Sequence, residues 1–264
     1  MSAVNGPSIV TSGLQIYLDV NNTKSYPNSG TTWTDLANKT VFSTSTYTYP
    51  AVAGPSNARY FTFINDGVTQ NNICSTYTVP STHTQTQYTR QAWFYLTGFN
   101  LGNQLPWSPI ITNERGNNSD MALVVGGTGI IPGDNRLAFH QYTQPILPGN
   151  GNTGVQDYNI IGTTLLSLNT WYNGAMTVDH TSHQVSLYVN GMFDGVGTTI
   201  DPNIGVDIGN AYGDRIAIGG CFTDSYSGQR MFKGHIALVA HYNRILTADE
   251  IFQNFAAHRG RYGV

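Results

Sequence analysis

The sequence predicts an all-β protein, an antiparallel two-sheet sandwich closed by one short C-terminal helix. Three observations carry that expectation. Apolar residues recur at alternate positions in many short runs, the period of half-buried strands. Gly, Pro and Asn punctuate those runs as turn residues do. Only after residue 246 does the period become that of a helix. At 264 residues the chain suits one large β domain, since sandwiches of roughly 200 to 250 residues form single units.

Residues 1–12 make a polar arm with one Gly-Pro, expected to be loose or to dock on a neighbour, and the domain spans 13–264. Leu14, Ile16 and Leu18 alternate with Gln15 and Tyr17 as a first strand, and Tyr26-Pro27-Asn28-Ser29-Gly30 is turn chemistry. Residues 40–57, rich in Thr, Ser and Tyr, read as short edge strands and loop. Arg59 to Ile64 is a strand. Thr89 to Phe99 has Ala92, Phe94 and Leu96 on one face and Gln91, Trp93 and Tyr95 on the other, as a central strand does. A loop-rich insertion around 98–166 holds short strands at Pro109 to Thr112, Met121 to Val125 and Arg136 to Tyr142. Gln144 to Asn159 is its longest stretch without one, a length more often functional than neutral.

The last third is the most regular. Tyr172, Gly174, Met176 and Val178 alternate, His180-Thr181-Ser182-His183 is a polar tip, and Val185, Leu187 and Val189 run back as a hairpin. It stops at Asn190-Gly191, whose readily positive φ angles suit a tight reversal. Arg215 to Gly220 and Phe232 to Tyr242 are two more strands. Thr247 and Glu250 have capping-box spacing, Leu246 can staple to Ile251, Ile251 and Phe255 share a face, and Gly260 is the expected stop.

Trp171 opening a strand, Tyr188-Val189-Asn190-Gly191, the Arg215 to Gly220 strand, Phe232-Lys233-Gly234-His235-Ile236 and the run Tyr242 to Ile251 resemble, in order, the laminin-G-like, concanavalin A-like jelly-roll domains. The run Gly13 to Leu36 and the ending Asn254 to Gly263 are similar to the version of this domain found in structural proteins of tailed bacteriophages. The resemblance implies a jelly roll in which Trp33 and Leu36 help close the sandwich edge. It departs at Phe61-Thr62-Phe63-Ile64-Asn65-Asp66-Gly67-Val68, where family members carry phenylalanine-aspartate-glycine followed by acidic residues, so a role for those acids does not transfer.

Composition narrows the function classes. Charged residues are 10% of the chain against ~25% in ordinary domains, a neutral surface suited to packing in an assembly or to contact with sugar. Nine Arg and three Lys are scattered, and the net charge is −3, which argues against nucleic acid as a partner. No apolar run approaches the ~20 residues of a membrane span. Residues 1–8 lack a basic start and an apolar stretch, so synthesis in a host cytoplasm is expected, with exit as part of a particle. Cys74 and Cys221, the only cysteines, make neither a disulfide framework nor a zinc site; they read as reduced, with one bridge between them as the alternative.

No catalytic set emerges. Glycoside hydrolysis needs two carboxylates ~5 to 9 Å apart, and the hydrolases that share the resembled fold place two glutamates on one strand. This chain has two in all, Glu114 and Glu250. Glu250 is explained by the helix cap. Glu114 has Arg115 as a charge partner and no further carboxylate until Asp120. Asp179, Asp194, Asp201, Asp207 and Asp214 fall at expected turns or strand ends. Nucleophile, phosphate-loop and paired-histidine zinc motifs are absent. His235 and His241 are expected on one face of one strand, ~20 Å apart and so unable to share a metal.

Two ligand classes stay open. Families with the resembled fold hold calcium by loop oxygens, for which Asp120, Asp134, Asp207 and Asp214 are the candidates, although none has a fixed ligand spacing. Sugar stacks an apolar face on a ring while its hydroxyls take hydrogen bonds, and Trp107, Tyr142, Tyr158, Tyr212 and Tyr226 lie in or near loops where they could serve. The resemblance implies a non-enzymatic virion structural protein on a phage head or tail, contacting other virion proteins; a homo-oligomer is expected, closed symmetric assemblies being the common case. The alternative is a lectin-like module or adhesin for host-surface glycans, and a glycoside hydrolase is the third reading.

Overall fold

The alternating runs pair into two antiparallel sheets. The computed structural model describes residues 7–43, 52–53, 58–64, 73–75, 86–98, 108–114, 119–126, 135–143, 156–198, 215–220 and 232–264, with the backbone alone at 52–53, 73–75, 113–114, 119–121, 141–143, 156–159 and 215. Strands are numbered in chain order. The first sheet runs β14 (Met192–Thr198), β13 (Gln184–Val189), β12 (Trp171–Asp179), β7 (Gln87–Leu96), β16 (Gly234–Tyr242), β5 (Arg59–Phe63) and β4 (Val52–Ala53), with β1 (Leu14–Asp19) also paired to β16. The second runs β11 (Gln156–Ile161), β10 (Leu137–Thr143), β9 (Ser119–Val125), β8 (Ser108–Glu114), β15 (Arg215–Ile218), β6 (Ile73–Ser75), β3 (Val41–Ser43) and β2 (Thr32–Thr34).

Alternation then decides which side chains meet between the sheets. Phe94, Met176, Leu187, Ile236 and Val239 from the first sheet pack with Ile111, Leu123, Phe139 and Ile218 from the second, and Trp33 is buried with them at the β2 edge. The stretch 98–166 is richer in strand than expected, since β8 to β11 form half of the second sheet. Gln144 to Asn159 was the stretch without a strand, yet its end belongs to β11, where Gln156 to Ile161 gain their order by pairing with β10. Asn190 and Gly191 turn β13 into β14 with φ of 51° and 76°, the two positive values of a tight hairpin turn.

A β-bulge alters one expectation about faces. β16 shifts register between Ile236 and Leu238, and an extra residue in a strand reverses the alternation beyond it. His235 therefore lies opposite Tyr95 on the outer face, whereas His241 lies opposite Arg90 on the inner face. The two histidines do not share a face. Inside the sandwich, the buried Arg90 guanidinium sits 5.0 Å from the Tyr88 ring centroid, and the buried His241 is held well below the usual imidazole range by desolvation and then by Arg90.

The helix α1 (Ala248–Tyr262) begins with both capping-box bonds, Glu250 N–H to Thr247 Oγ1 at 3.2 Å and Thr247 N–H to Glu250 Oε2 at 2.9 Å. Arg244 also donates to both Glu250 oxygens at 2.8 and 2.6 Å and brings that carboxyl down to about 2. Thr247→Ala should cost about 1 kcal/mol of stability, read as a small drop in the urea midpoint; no change would mean that the cap is redundant with the Arg244 clamp. The helix does not stop at Gly260. It runs on to Tyr262 and ends at Gly263 in the left-handed region, φ 73°, because Arg261 pairs with Asp19 at 2.9 Å and Tyr262 packs on Trp93 at 4.2 Å. Contacts from elsewhere in the chain hold the last turn.

One face of α1 covers the outer side of the first sheet. Ile251 and Leu246 pack with Ala175, Tyr188 and Tyr242, and Phe255 and Tyr262 with Trp93, Trp171 and Leu238. The described part of the N-terminal arm docks on the same helix of its own chain: Val10 N–H donates to Asn254 Oδ1 at 2.8 Å and Gln253 Nε2 to Ser8 O at 2.6 Å. Among the described residues no helix is long and apolar enough to cross a membrane.

Candidate functional site

Where α1 ends, the outer face of the first sheet carries aromatic rings that the helix leaves uncovered. Register sets Thr62 beside His235, His235 beside Tyr95 and Tyr95 beside Trp171, a row across β5, β16, β7 and β12. Tyr60, two residues before Thr62 on the same face, leans over this row. Its ring stacks on His235 at 4.1 Å and 23°, and Tyr95 stacks on the same imidazole at 5.2 Å and 23°. Trp171 meets Tyr60 and Tyr95 obliquely, at 5.7 and 5.5 Å, and backs onto Tyr262 at 4.7 Å. Tyr60, Tyr95 and His235 are half-buried, whereas Trp171 is buried beneath them.

This palisade is apolar in its body and polar at its tips. Burial raises the Tyr60 phenol, and the nearby Tyr95 phenol adds to that rise. His235 is pushed down to about 4 by burial, against the opposing effect of the Gly234 backbone. Its Nδ1 lies 3.2 Å from Thr62 Oγ1. A neutral imidazole between two phenols, braced by a hydroxyl, can give and take hydrogen bonds without charge.

A cleft under α1 is structural. Under α1, Gln91 donates to Asn173 Oδ1 at 2.6 Å, and Asn254 donates to Gln91 Oε1 at 2.9 Å and to the Tyr242 hydroxyl at 3.0 Å. The cleft beside them, lined by Tyr17, Trp93 and His258 among others, has a volume of about 10 Å³. That is the room of about one water, far short of the ~300 Å³ of a small-molecule site.

The candidates read from sequence distribute differently. Trp107, Asp134, Asp207, Tyr212, Asp214 and Tyr226 lie outside the described residues, as do Asp201 and Cys221. Tyr142 is on β10 opposite Asp157, whereas Tyr158 on β11 is opposite Gln141. Asp120 is on β9, between Glu114 and Tyr142 in register. Six residues apart in sequence, Glu114 and Asp120 are direct neighbours across a hairpin. Asp194 is neither at a turn nor at a strand end: it is buried within β14, its Oδ1 accepting from Thr163 Oγ1 at 3.1 Å and from Thr164 N–H at 2.9 Å. Among the described residues no three His, Cys, Asp or Glu are grouped to hold a metal.

Tyr60, Tyr95, His235 and Trp171 were not singled out as a site by the sequence. The available signal was the non-core face of Thr89 to Phe99, where Trp93 and Tyr95 are aromatic although that face was not needed for the core.

The family model for the concanavalin A-like lectin/glucanases superfamily, Laminin_G_3, matches residues 69–252. The chain belongs to this family. No curated protein sequence matches it. Among solved structures, this laminin-G domain is similar to domain 4 of AbnA, a GH43 extracellular arabinanase from Geobacillus stearothermophilus in complex with arabinotriose, at 16% identity and TM-score 0.59, covering 94% of this chain and all of that one. It is also similar to the binding domain of botulinum neurotoxin DC in complex with SialylT, at 11% identity and TM-score 0.55, covering 92% of this chain and 51% of that one. Trypanosoma rangeli sialidase in complex with sialic acid follows at 16% identity and TM-score 0.57, covering 95% of this chain and 34% of that one. The laminin-G domain thus spans about half of the neurotoxin chain and a third of the sialidase. At these identities the likeness is one of fold.

Proposed function

We propose that this laminin-G domain recognises carbohydrate without hydrolysing it. The observation that carries the reading is the Tyr60–His235–Tyr95 stack over Trp171, because rings with polar tips offer a sugar both apolar contact and hydrogen-bond partners. That solved relatives of the fold are named in complex with arabinotriose and with sialic acid supports the class of ligand without fixing it. A glycan array, run with and without calcium, tests the reading. Tyr60→Ala with Tyr95→Ala should weaken any hit by at least about fivefold, each lost ring contact being worth ~0.5 to 1.5 kcal/mol.

The pH dependence follows from His235. Its folded value of about 4 lies below the 6.5 of a free imidazole, so the unfolded chain takes up this proton first. Stability from this group is complete above about 6.5 and falls as pH drops towards 4. Within the folded protein the ring stays neutral down to that point. Binding of a neutral glycan should be flat from pH 8 to about 5 and fall below it; a fall centred near 6.5 would show that the ring is not buried as described. Polysaccharide turnover abolished by Glu114→Gln would overturn the non-enzymatic part.

A second reading, a virion surface protein contacting other virion proteins, is favoured by one observation. The two ends that resemble the phage version meet in space: Asp19 pairs with Arg261, and the Tyr17 hydroxyl with His258 Nε2 at 2.9 Å. What read as two separate resemblances is one structural unit. Peptide mass spectrometry of purified particles decides, absence of the chain from virions being the outcome against it.

A further inference from the structure

The first sheet ends in an apolar surface that its own chain leaves open. On the edge strand β14, Phe193 and Val196 are 60% and 55% exposed, and Phe252 on α1 is 45% exposed. Three residues apart, Phe193 and Val196 would ordinarily point to opposite faces. Here β14 shifts register, so that Phe193 pairs with Tyr188 and Val196 with Ser186, which share a face. The residue displaced by the bulge, Asp194, turns into the protein. Phe193 packs edge-on against Tyr188 at 5.8 Å. A Cβ on Gly191 would sit 3.0 Å from the Phe252 ring, so the apolar surface continues from strand to helix.

The exposed face of α1 is complementary to itself when reversed. Asp249, Phe252, Ala256 and Arg259 fall within one side of the helix, Asp249 and Arg259 exposed and Ala256 partly so. Asp249 and Arg259 are equidistant in sequence from position 254, as are Phe252 and Ala256. An antiparallel second copy of α1, crossed at that point, sets each Asp249 against the partner's Arg259 and each Phe252 ring over the partner's Ala256. Gly260 lies on the same side with nothing within 4 Å of where its Cβ would be, so close approach is open.

We infer that the chain forms a twofold dimer through the outer face of α1 and the adjoining Phe193–Val196 surface. The area agrees. The exposed parts of Phe193, Val196 and Phe252 amount to roughly 300 Å² of apolar surface. A twofold doubles this to about 600 Å², the apolar share of an interface of roughly 1,050 Å², at the ~1,000 Å² threshold of a specific interface. At Asp194 the edge is closed to strand addition, because its carbonyl already accepts from Thr163 N–H at 3.0 Å. A chain with 10% charged residues opposes such self-association little.

Sedimentation equilibrium of the full chain from about 5 to 100 μM is the test. The wild type should show twice the 28.8 kDa of the chain, and Phe252→Ser, at a surface position, should weaken the dimer at least tenfold while leaving the melting temperature of the dilute protein near its own monomer value. Asp249→Arg and Arg259→Asp should each dissociate the dimer, and the double swap should restore it. A wild-type monomer at 100 μM overturns the inference, as does a dimer indifferent to Phe252→Ser and Phe193→Ser. Single swaps without effect, or a double swap that stays monomeric, overturn the antiparallel register. Capture by vesicles with no dimer would assign the surface to lipid instead.

Discussion

Trp93→Ala is expected to lower stability by about 4 to 5 kcal/mol, at the upper end for a large buried aromatic. Trp93 is fully buried on β7, a central strand, and two residues of α1 stack on it, Tyr262 at 4.2 Å and Phe255 at 5.6 Å. Removing the ring opens a cavity where the last two turns of the helix pack on the sheet, and both aromatic pairs go with it. Against a total of ~5 to 15 kcal/mol for a folded domain, that loss brings the protein near its unfolding threshold. Chemical denaturation followed by helical circular dichroism measures it. A midpoint within error of the wild type would mean that α1 is held by Ile251 and the Asn254 network without the ring.

Gly234→Ala should be nearly as costly and should also abolish ligand binding. Gly234 has φ +151°, and a Cβ there would lie 2.0 Å from the Tyr95 carbonyl oxygen and 3.1 Å from Leu96 Cα. Both obstacles are backbone of the neighbouring strand, so no rotamer change relieves them. Overpacking of this kind costs ~1 to 3 kcal/mol, the strained backbone adds ~1 to 2, and a total of about 3 to 4 is expected. Because His235 follows directly and stacks on Tyr95, pushing β16 away from β7 separates the rings of the palisade. A Gly234→Ala protein that folds and still binds glycan with unchanged affinity would place the binding surface elsewhere.

What could be read from the sequence was whatever depends on near neighbours. The Asn190-Gly191 turn and the Thr247–Glu250 cap involve residues within four positions of each other, and both have the geometry their residue types require. The face of Ile251 and Phe255 followed from spacing alone. Failures came where a distant partner decides. Nothing local distinguishes Ala237 as an extra residue in β16, yet it sends His235 and His241 to opposite faces. Gly260 is a helix breaker by type, and it is overruled by Asp19 and Trp93, more than 160 positions away. The palisade draws Tyr60, Tyr95, Trp171 and His235 from four strands whose order in the sheet is not their order in the chain. Loop aromatics were easier to notice than strand aromatics because exposure in a loop can be inferred locally, whereas exposure on a strand depends on where the helix stops.

The central position of β16 has a consequence for how the molecule is made. It pairs with β7 along one side and with β5 and β1, end to end, along the other, and among the described strands it is made last. At ~5 to 20 residues per second, β1 waits roughly 10 to 45 s for the strand it pairs with. Throughout that interval a nascent chain carries bare strand edges of the kind that join to the wrong neighbour. Completion of this sheet therefore waits until the chain has been made past Tyr242, and a nascent chain cut off before that point has the pieces of a sandwich without the strand that holds them side by side.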